Sequence, residues 1–127
     1  MILKLLGSSA SSTNSIAASK AKATGIDVAG ALRRLEAGTA ILVDVREPQE
    51  HAREHIRKAR LVPLSRFSAH DFSADCARVN AAIFYCQSGA RTAMNARRFT
   101  QAGFGEAFVL EGGIAAWKRA GKPTSAS

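Results

Sequence analysis

Three short, unbroken apolar runs constrain this chain most: Ala40-Ile41-Leu42-Val43, Ala82-Ile83-Phe84-Tyr85 and Ala107-Phe108-Val109-Leu110. A strand with one face in water alternates apolar and polar residues. A strand that is apolar at every position is covered on both faces. Helix-like stretches lie between the runs. Asp27 is placed to cap a helix carrying Val28, Leu32 and Leu35 on one face, with Gly38 at its end. Pro48, within Glu47-Pro48-Gln49-Glu50, suits the first turn of a short helix. Residues 92–102 read as a helix with Ala93, Ala96 and Phe99 inward and Gly103 after it. Residues 114–120 read as a last helix, anchored by Trp117 and stopped by Gly121 and Pro123. Leu61-Val62-Pro63-Leu64 is at most a short strand, because Pro63 lacks a ladder donor. This alternation predicts an α/β domain: a central, mostly parallel sheet of about five strands with helices on both faces.

The chain has 127 residues, 46% of them hydrophobic, which suits one domain with a real core. We divide it into a Ser-rich N-terminal tail over 1–23, a folded domain over 24–122 and a C-terminal tail over 123–127. The tail holds Ser8, Ser9, Ser11, Ser12, Ser15 and Ser19 and no acid. Its opening apolar run ends at Gly7 with Lys4 inside it, short of the roughly 7–15 residues of a secretory core. No run of about eighteen apolar residues offers a membrane span. A cytoplasmic setting with reduced thiols is therefore expected of Cys76 and Cys86. The net charge of +8 attracts anions. The cations are scattered without interleaved aromatics, so a solvated basic surface or a small anionic substrate is expected, not nucleic acid. No Cys/His set has zinc spacing, and Gly112-Gly113 lacks a phosphate-loop lysine, so neither metal nor cofactor is expected.

The chemistry is concentrated in Tyr85-Cys86-Gln87-Ser88-Gly89-Ala90-Arg91-Thr92. A cysteine ends a buried strand, a glycine-bearing loop follows, and a helix begins directly after. In open α/β sheets ligands bind in the crevice beyond the strand C-termini. Such a loop can curl its N–H groups onto one point, and a helix N-terminus adds positive potential there. Gly89 permits the tight backbone, and Arg91 adds a planar, charged fork suited to oxyanions. Together these favour the thiolate of Cys86, a nucleophile that needs no histidine base. The competing reading is a buried cysteine acting as a small hydrophobe.

The linked motifs resemble a single rhodanese domain. They are Leu42-Val43-Asp44-Val45-Arg46-Glu47-Pro48-Gln49-Glu50, His55-Ile56, Val62-Pro63-Leu64, Phe84 to Thr92, and Val109-Leu110-Glu111-Gly112-Gly113-Ile114-Ala115-Ala116-Trp117. The resemblance implies a thiosulfate-type sulfurtransferase in which Cys86 becomes a persulfide. A small anionic donor would supply the sulfur, and a thiol or cyanide would remove it. The acceptor would be a small molecule or a thioredoxin-like protein. Gln87, Ser88, Gly89 and Ala90 would cradle the outer sulfur, and Arg91 would bind the donor's anionic end. Asp44 and Arg46 would support the loop. Glu50, His55 and Glu111 read as structural, and Trp117 as a core anchor. The family's phosphatases and arsenate reductases carry five residues between cysteine and arginine. Here four separate Cys86 from Arg91, a narrower ring. A binding module without turnover is the reading from another class.

The chain departs from the family in one stretch. Where the family often has Gly-His-Ile-Pro-Gly-Ala, this sequence has Glu54-His55-Ile56-Arg57-Lys58-Ala59. A turn needing φ > 0 would be strained without its glycine. The cations there are read either as drift in a solvated turn or as a basic edge of Arg53, Arg57, Lys58 and Arg60 facing a partner. Cys76 is assigned to a helix before the Cys86 strand and is given no part in the chemistry, although a bridge to Cys86 is left open.

Overall fold

The computed structural model describes residues 22–126. In chain order they form β1 (Thr24–Ile26), α1 (Val28–Glu36), β2 (Ala40–Asp44), α2 (Pro48–Arg53), β3 (His55–Ile56), β4 (Arg60–Leu61), α3 (Ser73–Cys76), β5 (Ala81–Tyr85), α4 (Ala90–Met94), α5 (Ala96–Phe99), β6 (Glu106–Leu110), α6 (Gly113–Arg119) and β7 (Thr124–Ser125). Short 3-10 turns cover Leu64–Arg66, Ala69–Phe72 and Thr100–Ala102. Five strands pair in the order β1-β6-β5-β2-β4, and every pair is parallel. The three apolar runs are the sheet's interior strands β2, β5 and β6.

Side-chain alternation along the interior strands feeds two cores. On one face Val43, Ala82, Phe84 and Cys86 meet Phe72, Ala96 and Phe99. There the Phe84 and Phe99 rings stack at 4.3 Å. On the other face Leu42, Ile83, Tyr85 and Leu110 meet Ala31 of α1 and Ile114 and Trp117 of α6. Both faces are thus covered by helices. Asp27 caps α1 by accepting the Gly30 N–H at 2.8 Å, and Pro48 opens α2. No helix among the described residues is long and apolar enough to cross a membrane.

The structure corrects several expectations. The stretch over 92–102 is not one helix facing inward at Ala93. The first turn begins at Ala90, because Gly89 reverses the chain at φ 97°. Thr92, Ala96 and Phe99 then face inward, while Ala93 is exposed. Asn95 interrupts the helix: its side-chain amide donates to the Arg91 carbonyl at 2.7 Å, competing with the regular backbone pattern. The short strand near Pro63 is Arg60–Leu61, and Pro63 itself leads into a 3-10 turn. Residues 123–127 are not simply a tail. Thr124–Ser125 pairs antiparallel with His55–Ile56, and the Trp117 indole N–H donates to the Pro123 carbonyl at 2.9 Å. Of the Ser-rich segment, 1–21 lies outside the described residues. Ala23 is buried and donates its N–H to the Ala96 carbonyl at 2.9 Å. Thr24-Gly25-Ile26 carries no apolar run that would mark β1; its backbone pairing with β6 makes it a strand.

Candidate active site

β5 delivers Cys86 to the C-terminal edge of the sheet, where its side chain is 1% exposed. The loop then wraps around the sulfur. The Gly89 N–H donates to Sγ at 3.2 Å, and the Thr92 hydroxyl lies 3.7 Å from Sγ and 3.1 Å from the Gly89 carbonyl. Burial alone would push the thiol's pKa up. The amide and hydroxyl of Thr92, with the amides of Gly89 and Arg91, outweigh it and hold the thiol below its ordinary value. Of the loop residues expected to cradle the sulfur, Gly89 turns its amide onto Sγ, and the Thr92 hydroxyl lies beside it. Gln87, Ser88 and Ala90 are exposed around the rim.

α6 explains the loop's shape. The Ile114 N–H donates to the Cys86 carbonyl at 2.9 Å, and the Ala115 N–H to the Gln87 carbonyl at 3.1 Å. In a trans peptide the N–H points opposite to the preceding carbonyl. Pinning those two carbonyls on α6 sends the Gln87 and Ser88 amides to the loop's open side. Gly113 is needed for this contact, because a Cβ there would overlap the Cys86 carbonyl oxygen.

Beneath the loop lies a buried ion pair. The carboxylate of Asp44 accepts from Arg46 three times: the amide at 2.9 Å, Nε at 3.0 Å and a terminal guanidinium nitrogen at 2.8 Å. It also accepts from His51 Nδ1 at 2.9 Å and from the Tyr85 hydroxyl at 3.1 Å. Burial would raise the Asp44 pKa, but the donors from Arg46 and then His51 more than offset it, and the carboxyl lies below its usual range. Burial, together with the Asp44 charge, pushes the Tyr85 phenol well above its usual value. Arg46 reaches out from this network in two directions, to the Gln87 side-chain oxygen at 3.3 Å and to the Glu54 carbonyl at 2.6 Å. Asp44 thus pairs with Arg46, and the pair lies beneath the loop.

Arg91, the planar fork at the end of the loop, is already paired. Its two terminal nitrogens grip both carboxylate oxygens of Glu50 at 2.9 Å each. That contact, its hydrogen bond foremost, draws the Glu50 pKa down to about 2. The same contact raises the Arg91 pKa above its ordinary value, so the guanidinium stays charged beside Glu50. Sequence reading missed Thr92, His51, Tyr85 and the role of Glu50. Thr92 had a signal, a hydroxyl at the start of the helix that follows the cysteine loop. The others meet their partners only through the fold. Cys76 and Cys86 are both free thiols, and the Cys76 thiol donates to the Ala102 carbonyl at 3.3 Å. The four-residue basic edge is not assembled either. Arg60 turns to Asp75 and the Asp71 carbonyl, with its guanidinium over the Phe72 ring.

The sequence pattern of the rhodanese-like domain matches residues 27–120. A Synechocystis protein, slr1261, is 43% identical over 84 residues, which are 66% of this chain and 46% of that protein. The chain thus spans less than half the length of that relative. The thiosulfate sulfurtransferase GlpE of Vibrio cholerae is 31% identical over 102 residues, covering 80% of this chain and 94% of that protein. Among solved structures, a thiosulfate sulfurtransferase from Pseudomonas aeruginosa superposes with a TM-score of 0.67 at 25% identity, covering 85% of this chain and 20% of that one.

Proposed function

The chain belongs to the rhodanese-like domain family, and from that footing we propose that it is a sulfurtransferase carrying sulfane sulfur on Cys86. The observation that supports this best is a buried sulfur on which the Gly89 amide at 3.2 Å and the Thr92 hydroxyl at 3.7 Å converge, its thiol held below the ordinary pKa. Such a cradle favours an anion of one atom: first the thiolate, then the outer sulfur of a persulfide. The Cys86 thiolate attacks the outer sulfur of thiosulfate. A new S–S bond forms, the bond to the sulfonate sulfur breaks, and sulfite leaves with the electron pair. A thiolate or cyanide then attacks the outer sulfur, and Cys86 departs as thiolate. This covalent cycle gives ping-pong kinetics.

Arg91 binds the donor's anionic end. Glu50 engages only two of its N–H groups and holds the fork in place, leaving others for the donor. Glu50 is in this sense a positioning residue. Asp44 and Arg46 hold the loop from below, and the exposed amides of Gln87, Ser88 and Ala90 meet the donor at the rim. The donor is a small anion such as thiosulfate, and the acceptor is a thiol on a small molecule or a protein.

The test is intact mass after incubation with thiosulfate. The protein should gain one sulfur atom, Cys86→Ser should gain none, and cyanide should remove the sulfur as thiocyanate. No gain from thiosulfate or from a small persulfide would leave a binding module without turnover.

A further inference from the structure

Met94 is the one exposed large hydrophobic side chain among the described residues, 85% accessible. It is not isolated. It closes α4, the helix that starts at the cysteine loop, and Ala90 and Ala93 on that helix are exposed too. Positions three and four apart share a helix face, so the three residues form an apolar strip that begins at the loop's rim. A groove adjoins the strip, lined by Ala93 and Ala96 on one side and by Lys22, Thr24 and Gly25 of the sheet edge on the other. Arg97, four residues past Ala93, is exposed at the margin. Neither Lys22 nor Arg97 pairs with an acid among the described residues.

Presentation of the sulfur points the same way. Cys86 is sealed from below, while Gln87, Ser88 and Ala90 around it are open to solvent. A pocket for a small ligand encloses most of that ligand's surface. An outer sulfur raised on an open rim suits a reaction partner that brings its own surface. We propose that the Ala90–Ala93–Met94 strip docks a protein that exchanges sulfur with Cys86, a partner whose thiol stands beside a shallow apolar patch with an acidic rim. This rests on the sulfurtransferase reading above.

Charge selects among occupants. The first 23 residues of this chain carry Lys4, Lys20 and Lys22 and no acid, and a second copy carries the same net +8. Both are repelled by the cations at the strip, whereas an acidic partner is steered to it. Methionine suits such a contact, since its flexible thioether adapts to the surface it meets. On docking, the partner thiolate attacks the outer sulfur of the Cys86 persulfide. The S–S bond to Cys86 breaks as the S–S bond to the partner forms, and Cys86 leaves as thiolate. The sulfane sulfur moves without an outside oxidant or reductant.

The experiment loads the full chain from thiosulfate, verifies the added sulfur by mass, and offers three acceptors separately: a reduced acidic thioredoxin, glutathione and cyanide. Thioredoxin should be served about tenfold faster than glutathione per thiolate. Met94→Gln should slow the thioredoxin arm about tenfold and leave the cyanide arm within about twofold, the effect of losing one interface anchor. Arg97→Glu and 0.5 M salt should each slow only the thioredoxin arm. Equal service to thioredoxin and glutathione, or a Met94→Gln effect that is absent or uniform across acceptors, overturns the proposal. So does a dimer that Met94→Gln dissociates, or new proteolysis within 1–21 in that variant, since these assign the strip to a second copy or to the chain's own start. Failure to load sulfur at all is a different result, and it removes the sulfurtransferase reading itself.

Discussion

Two backbone reversals, at Gly89 and at Lys58, are built differently. Gly89, in the cysteine loop, has φ 97°, and a Cβ there would lie 3.0 Å from the Gly112 amide nitrogen. Conformation demands glycine there, and the space for a side chain is tight as well. Lys58, in the outer turn closed by the Ala59 N–H to the Ile56 carbonyl at 3.0 Å, has φ 66° and a side chain in solvent. Only conformation asks for glycine there, and a left-handed lysine costs about 1–2 kcal/mol. The strain anticipated where the family's glycine is replaced is real and falls on Lys58. The same stretch also acquires new contacts. The Glu54 carboxylate, where the family has its other glycine, accepts from Lys118 at 2.8 Å and from the Thr124 hydroxyl at 2.7 Å, fastening the C-terminal strand. A site loop keeps its glycine because chemistry depends on where its amides point, whereas a surface turn can trade some stability for a different surface.

Arg46 joins the two reversals, through Gln87 on one side and the Glu54 carbonyl on the other. The largest expected effect therefore comes from cutting its anchor. Asp44→Asn leaves a buried guanidinium without its carboxylate and should cost about 3–5 kcal/mol in urea unfolding. A loss below about 1 kcal/mol would mean that the two regions do not share this anchor. Next, Gly89→Ala should lower sulfur transfer about a hundredfold, the scale of losing one aimed donor. Activity near that of the parent would show that the loop tolerates what the outer turn tolerates. Thr92→Val removes the hydroxyl that lies 3.7 Å from the sulfur and helps hold its pKa down, so the midpoint of Cys86 alkylation against pH should rise. An unchanged midpoint would remove Thr92 from the cradle.

Glu50 gives a smaller effect of defined sign. Its folded pKa, about 2, lies below the ordinary glutamate value of 4.5. Its contribution to stability is thus present above about pH 4.5 and is lost as pH falls from there toward about 2. The Tm difference between the parent and Glu50→Gln should shrink over that interval, and a constant difference would show that the Arg91 contact is not titrating. The smallest change expected is a gain: Lys58→Gly should stabilise by about 1 kcal/mol and leave sulfur transfer unaltered. A loss of stability would show that Lys58 makes contacts that outweigh its strain.

The helix that follows the cysteine shows how far the sequence could be read. Its inward positions at Ala96 and Phe99 were legible, since the 3.6-residue period marks a buried face. Its start and its break were not. Gly89 moves the first turn to Ala90, and the side-chain bond of Asn95 interrupts the helix midway. Both depend on hydrogen bonds that local composition permits without requiring. The ribbon of β3 and β7 was illegible for a related reason. Thr124–Ser125 is too short and polar to announce a strand, and it becomes one only because His55–Ile56 lies beside it.

By itself the sequence determined the interior strands, the helices that cover them and the loop that ends in Arg91, because apolar period and glycine placement act through neighbours along the chain. Tertiary structure decided the partnerships. Placing β2 beside β5 in register sets Asp44 opposite Tyr85, and the fold brings Glu50 to Arg91 across 41 residues of sequence. A carboxylate's partner depends on which strands become neighbours, and many distant residues settle that together.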